Sequence, residues 1–345
     1  MRRHKRTLLR CTAVFLLSRD LYFPQTSSHQ TAQWDNTSRT KWGKEFLVVK
    51  IRSKADNSLQ PAYFLPAQSK VPRPLIVSLH TWSGDYSQDD PLAELTRKNQ
   101  WNYIHPDFRG PNWTPDACLS KKALTDIDDA IQYAKDNGPV DTKNIFVVGV
   151  SGGGYAALGS YLKTSHQVKA FLSWAPISDL SAWFHQSKSR DVKYAQDILK
   201  CTSGGAVLDQ NKANERSPMF WDMPARPKGR LEIYAGINDG YTGSVPISHS
   251  IQFFNRAVQH YGYAGSTVGQ TDFVRLLTRG IERKDHPSTI GNREVVYRRD
   301  TKPVSLVIFD GSHEMLTEYC FDRIKQIVQR GDRFDGDSAA FQSHQ

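Results

Sequence analysis

Eight runs along the chain are apolar and rich in β-branched and aromatic residues: EFLVVKIRS, PAYFLPA, PLIVSLH, WNYIHPD, NIFVVGV, KAFLSWAP, RLEIYAG and VSLVIFD. Each is short and bounded by Gly, Pro, Asn, Asp or Ser, the signature of a strand. Residues with helical periodicity lie between them. Leu124, Ile127, Ile131 and Ala134 share one helix face, stopped by Asn137-Gly138. A second helix is predicted from about Met315 to Gln329, with Leu316, Cys320, Ile324, Ile327 and Val328 on its apolar side and Gly331 closing it. Alternating strands and helices predict an α/β fold, a mostly parallel eight-stranded sheet with helices on both faces. PLIVSL and IFVVGV are apolar without interruption and read as central strands, whereas the first two runs come closer to alternation and read as an antiparallel edge.

Two stretches break the rhythm. Residues 180–228 separate the sixth and seventh strands by far more than an ordinary connection, which predicts a small helical insertion over one end of the sheet. Residues 263–300 form a second excursion, Gly-rich and then strongly charged. The expected organisation is an N-terminal extension over 1–43, one domain over 44–331 that includes the insertion, and a polar tail over 332–345.

At 345 residues and 39% hydrophobic content the chain fills the core of such a domain. The net charge of +10 changes little: Met1 to Asp20 carries six Lys or Arg against one Asp, and the remaining +5 is dispersed. No basic stripe interleaved with aromatics argues for nucleic acid. No apolar run reaches the ~18 residues of a membrane span. The opening MRRHKRTLLRCTAVFLLSRD has a basic front and a short apolar run, as a secretory signal has, but Arg10 interrupts it and no A-x-A-like cleavage site follows. It reads as an export signal, which slightly favours a secreted or periplasmic protein, or as a basic extension. Four cysteines, Cys11, Cys118, Cys201 and Cys320, contain no C-x-x-C pair. In an exported protein Cys118 and Cys201 would be candidates for a disulfide; otherwise they are buried thiols.

The chemistry concentrates in NIFVVGVSGGGYAALGSYLK, where Gly149, Ser151 and Gly153 satisfy G-x-S-x-G at the end of a predicted strand and the start of a predicted helix. That context is the one in which the pattern forms a nucleophile elbow, a sharp turn that lifts a serine hydroxyl above the carboxyl edge of the sheet. Its rival, a phosphate-binding loop, would need G-x-x-x-x-G-K-[ST] or G-x-G-x-x-G, and neither is present.

A serine needs a base and a group to orient that base. Of eleven histidines, His313 in VIFDGSHEML follows the last predicted strand, where the base is expected. His249 and His105 sit on a predicted helix and at a strand end. Asp239, in the turn after the seventh strand, is the expected acid, with Asp179 as alternative; Asp310 is too near His313 in sequence. The oxyanion donors are expected at the backbone N–H of Gly152 and of Trp82 in LHTWSG, with Thr81 as the other choice for the second. His80 is expected to brace that loop.

With these parts in order, the chain resembles the α/β-hydrolase superfamily from about residue 44 to 330, and within it the prolyl oligopeptidase catalytic domain. PDFRG, DIDDAIQYAKDNGPVDTKNIFVVGVSGGGYAAL and GSHEML carry the likeness. The resemblance implies an α/β-hydrolase fold and a serine hydrolase acting through an acyl-enzyme, with no metal or organic cofactor. Only about forty residues precede the first strand, too few for the family's propeller, and LHTWSG replaces its glycine-rich loop. The second departure bears on the second oxyanion donor, and the triad order in a compact, propeller-free chain favours a carboxylic-ester hydrolase, on acylated carbohydrate or aryl esters, over an exopeptidase or amidase; a non-catalytic binding scaffold is the third reading. Trp174, Trp183, Phe184, Phe220 and Trp221 lie in or beside the insertion, where they stack on substrate rings or pack a small lid. Thr81, Arg109, Trp183 and Trp221 are the candidate substrate contacts, Arg109 otherwise bracing its loop through backbone carbonyls. Glu215 and Asp222 are the candidates for holding a peptide amine.

Overall fold

The computed structural model describes residues 42–280 and 288–329. The expected export signal, nearly all of the N-terminal extension and the polar tail lie outside these residues. The strands are β1 (Leu47–Arg52), β2 (Leu59–Leu65), β3 (Arg73–Leu79), β4 (Asn102–Pro106), β5 (Val140–Val150), β6 (Ala170–Trp174), β7 (Arg230–Gly236), β8 (Thr289–Ile290), β9 (Arg293–Asp300) and β10 (Val304–Phe309). They form one sheet in the order β1-β2-β4-β3-β5-β6-β7-β10-β9-β8. The middle, from β4 to β10, is parallel, and both ends are antiparallel.

Burial explains this order. Residues 74–79 of β3, the second half of β5 and all of β6 and β10 are buried, whereas β1 is mostly exposed at the rim. Among the described residues the sheet has ten strands where eight are expected. β8 and β9 lie in the charged stretch that reads as an excursion, because REVVYRRD buries only Val295 and Tyr297 and leaves Arg298, Arg299 and Asp300 exposed beyond the reach of the two-residue outer strand β8.

Helices cover both faces. On one lie α2 (Lys121–Asn137), α3 (Gly152–Lys163) and α7 (Ser248–His260), whose Ile127, Tyr155 and Phe253 share a core cluster. On the other, α1 (Pro91–Lys98) and α9 (Thr317–Gln329) bury Leu92, Phe321 and Ile324. Between β6 and β7 the chain forms α4 (Leu180–Ser189), α5 (Tyr194–Cys201), α6 (Gln210–Glu215) and a 3₁₀ turn, Pro218–Phe220; α8 (Gln270–Leu277) follows α7. Gly138 ends α2 where the sequence places the stop. Among the described residues, no helix is long and apolar enough to cross a membrane.

Candidate active site

At the carboxyl edge of β5 the chain turns through Ser151, at φ +58° and ψ −119°, directly into α3. This left-handed conformation is rare for a residue with a Cβ and is sustained only by surrounding contacts. The Ser151 N–H donates to Trp174 O at 2.9 Å, and its carbonyl accepts from Tyr155 N at 2.9 Å. The turn closes because its glycines lack side chains: a Cβ on Gly149 would stand 2.3 Å from the backbone of Gly153.

β7 and β10 are parallel neighbours, Phe309 opposite Gly236, so the loops that follow them lie side by side. This brings together the expected acid and base. His313 Nδ1 donates to Asp239 Oδ2 at 2.7 Å, and Asp239 Oδ1 accepts from the N–H groups of Gly240, at 2.9 Å, and Val245, at 3.0 Å. Both side chains are almost completely buried. Three acceptor bonds fix the carboxylate's plane and hence the ring's tautomer. Gly243 seals the pair, since a Cβ there would stand 2.3 Å from Asp239 Oδ1 and 2.5 Å from His313 Cβ.

The alternative groups have other partners. Asp179 caps α4 by accepting from Ala182 N at 3.0 Å. His249 accepts from Ser178 N at 3.2 Å and meets Gln186 Oε1 at 2.9 Å; burial, helped by the Arg190 charge, pushes it down to about 3. Burial likewise holds His105 down at about 4, although the Asp90 carboxylate opposes it.

Gly152 and Trp82 lie against each other: a Cβ built on Gly152 would fall 2.2 Å from Trp82 N. Thr81 turns away, its N–H and Oγ1 both donating to Gln88 Oε1, at 2.9 and 3.1 Å. His80 braces this loop, with Nε2 2.8 Å from Asp107 O and its ring stacked on Phe108.

The remaining candidate substrate contacts lie elsewhere or are enclosed. Arg109 is held by carboxylates and not by backbone carbonyls: it reaches Asp126 Oδ2 at 2.5 Å, Asp56 Oδ2 at 2.8 Å and Ser53 Oγ at 2.9 Å. It therefore ties the β1–β2 turn to α2, and its side chain is only 8% exposed. Trp183 is wholly buried, packed edge-on against Trp82 and donating Nε1 to Ser244 O at 2.9 Å, so no face is open to a substrate ring. Trp221 donates to Glu215 O at 3.0 Å and lines an open groove of about 770 Å³ with Leu119, Leu124, Ser160 and Lys163. Ser160 is nine residues along α3 from Ser151, ~13 Å at the helical rise. Glu215 lines the same groove, and Asp222 follows Trp221 in the chain.

Cys118, Cys201 and Cys320 are free, buried thiols. The Cys201 thiol lies 3.5 Å from Ile198 O, and burial raises it well above its ordinary range. Among the described residues no three His, Cys, Asp or Glu side chains group as metal ligands.

Residues 106–267 match the prolyl oligopeptidase family. No curated protein matches the chain in sequence. Solved structures similar to it include the acylaminoacyl peptidase of Pyrococcus horikoshii, with a TM-score of 0.56 at 17% identity over 83% of this chain and 41% of that one. An esterase of Pyrococcus furiosus is similar with a TM-score of 0.54 at 15% identity, over 85% of this chain and 97% of that one. Dipeptidyl peptidase 4 of Porphyromonas gingivalis gives 0.53 at 15%, over 82% of this chain and 35% of that one. The chain thus spans about two-fifths of the length of the peptidases it resembles, and at these identities the likeness is one of fold. The segment that matches the prolyl oligopeptidase family holds both the strand-to-helix serine turn and the Asp239 loop, and the fold is that of an α/β-hydrolase.

Proposed function

We propose that the protein is a serine hydrolase working through an acyl-enzyme on Ser151, with a carboxylic ester as its preferred substrate. The observation that carries this reading is the 2.7 Å contact of His313 with a fully buried Asp239 at the same sheet edge as the strained Ser151 turn. With Nδ1 donating to Asp239, Nε2 of His313 is the basic nitrogen. It takes the proton as Ser151 Oγ attacks the acyl carbon, and Asp239 stabilises the imidazolium. The oxyanion is held by the N–H groups of Gly152 and Trp82. Collapse expels the alcohol, protonated by His313; water then attacks the acyl-enzyme with His313 again as base, and the acyl–Oγ bond breaks to release the acid as His313 returns the proton to Ser151.

The ester preference draws support from the archaeal esterase, which the chain matches over almost its whole length. A peptidase or amidase using the same three residues is the second reading, favoured by the peptidases of the same fold. Glu215, one of its candidates for holding a peptide amine, lines the groove beside the far end of α3.

The test is labelling with a fluorophosphonate on wild type and Ser151→Ala, followed by a panel of aryl esters, acetylated sugars and aminoacyl amides. Labelling that depends on Ser151 and turnover of the esters are expected. Amide turnover without ester turnover would move the assignment to the second reading. A folded wild type that takes no label would mean a binding scaffold.

A further inference from the structure

One turn of the helical insertion, residues 190–193 between α4 and α5, touches both the loop around Asp239 and the loop of Trp82. Arg190 donates from Nη1 to the carbonyls of Gly240, at 3.0 Å, and Gly243, at 2.8 Å, and from Nη2 to Ser244 O at 2.7 Å. Its Nε is held by Gln186 O of α4 at 3.1 Å, and Trp183, also on α4, shares Ser244 O. Three residues on, Lys193 Nζ donates to Ser83 Oγ at 2.9 Å, beside Trp82.

The clamped carbonyls belong to the segment that wraps the acid. Gly240 and Val245, at its two ends, donate to Asp239 Oδ1, and Gly243 in its middle packs on both Asp239 and His313. Tyr241 and Thr242 at its tip are exposed and are met there by Leu277 O at the end of α8, the Arg279 guanidinium and Ser312 Oγ, while Arg190 holds the inner carbonyls on either side of the tip. A drift of Gly243 would press on both members of the pair. A planar guanidinium presents its donors in a rigid fork that grips several carbonyls at once; an ammonium on a flexible stem does not.

We propose that Arg190 is a positioning residue for the Asp239–His313 pair, the insertion acting through it as a clamp on the acid loop. This rests on the catalytic reading above, in which the pair drives Ser151.

The test compares Arg190→Lys and Arg190→Ala with Lys193→Met, which alters the same turn on its oxyanion side. A misplacement of the order of 1 Å in a catalytic array lowers turnover about 100-fold. Both Arg190 variants are therefore expected to lose about 10- to 100-fold in kcat with KM within about threefold, Arg190→Lys the less affected. Millimolar guanidinium should recover part of the Arg190→Ala loss. The His313 Nδ1 proton, seen by NMR as a downfield resonance, should shift or broaden in both, and stay in place in Lys193→Met. An unchanged resonance and kcat in folded Arg190→Lys would overturn the clamp, as would a kcat loss that follows thermal stability alone with the resonance intact. Because that resonance is read without turnover, an unlabelled wild type would remove the catalytic reading while leaving the clamp on the acid loop still measured.

Discussion

Replacing Gly152 with Ala adds one methyl group where the oxyanion site is proposed. The new Cβ would stand 2.2 Å from Trp82 N, 2.4 Å from Trp82 Cα and 2.8 Å from Thr81 C, all backbone atoms that no rotamer change can move aside. Ordinary contact starts near 3.4 Å, so the LHTWSG loop and the first turn of α3 must separate by about 1 Å. Two effects on stability oppose each other. Alanine is the better helix former by ~1 kcal/mol, less at a helix end. The overlap costs about 1–3 kcal/mol and wins, for a net loss of ~1–2 kcal/mol. The effect on catalysis is larger, because parting the two donors removes one from the developing oxyanion, and loss of one donor costs about 100- to 1000-fold in kcat. The assay is kcat on an aryl acetate with thermal unfolding alongside, and Gly205→Ala, where nothing lies within 4 Å of the new methyl, as reference. A folded Gly152→Ala enzyme with kcat within threefold of wild type would refute the pairing of Gly152 with Trp82.

Arg109→Ala should leave turnover and KM unchanged while lowering stability by about 3–5 kcal/mol, since it strands the buried Asp126 carboxylate; a raised KM without loss of stability would return Arg109 to the substrate site. Acid should weaken the fold in two overlapping stages. His105 and His249, held at about 4 and about 3, take up protons from pH 6.5 downward only when unfolded, so their stability contribution is present above 6.5 and falls as the pH drops. At ~1.4 kcal/mol per pH unit that is about 3 kcal/mol for His105 and of the order of 5 kcal/mol for His249. Burial tends to raise Glu232, but Arg323 and Arg230 outweigh it and hold the group at about 2, so its contribution is lost as pH falls through 4.5 toward 2. Urea midpoints should hold nearly level from pH 7.5 to about 6.5 and decline from there to pH 4, and a flat profile from 6.5 to 4.5 would contradict the burial of the two histidines.

The parts legible in the sequence are those fixed by local geometry. G-x-S-x-G between an apolar strand and a helix has one backbone solution, and chain order points to loops after β7 and β10 that the sheet then sets side by side. What escaped depends on partners distant in sequence. Trp183 reads as a stacking residue until Trp82, about a hundred positions earlier, covers it. Arg109 cannot be told from a substrate arginine until Asp56 arrives from the β1–β2 turn. Arg190 looks like one more basic residue at a helix end, and nothing nearby in sequence reveals that its acceptors lie fifty residues on. β9 hides because a strand at the rim of the sheet, covered on its outer side only by the two-residue β8, buries few of its positions.

The backbone of Ser151 has a consequence for descent as well as for chemistry. Holding a side chain at φ +58° costs of the order of 1–3 kcal/mol, a cost that glycine at the same position would not incur. On the proposed reading of Ser151 as the nucleophile, a Ser151→Gly lineage would thus be both inert and more stable in the folded state. Wherever turnover ceased to matter, drift toward a stable, silent scaffold would run downhill, and a serine kept at this position through many generations would itself record continuous demand for the reaction.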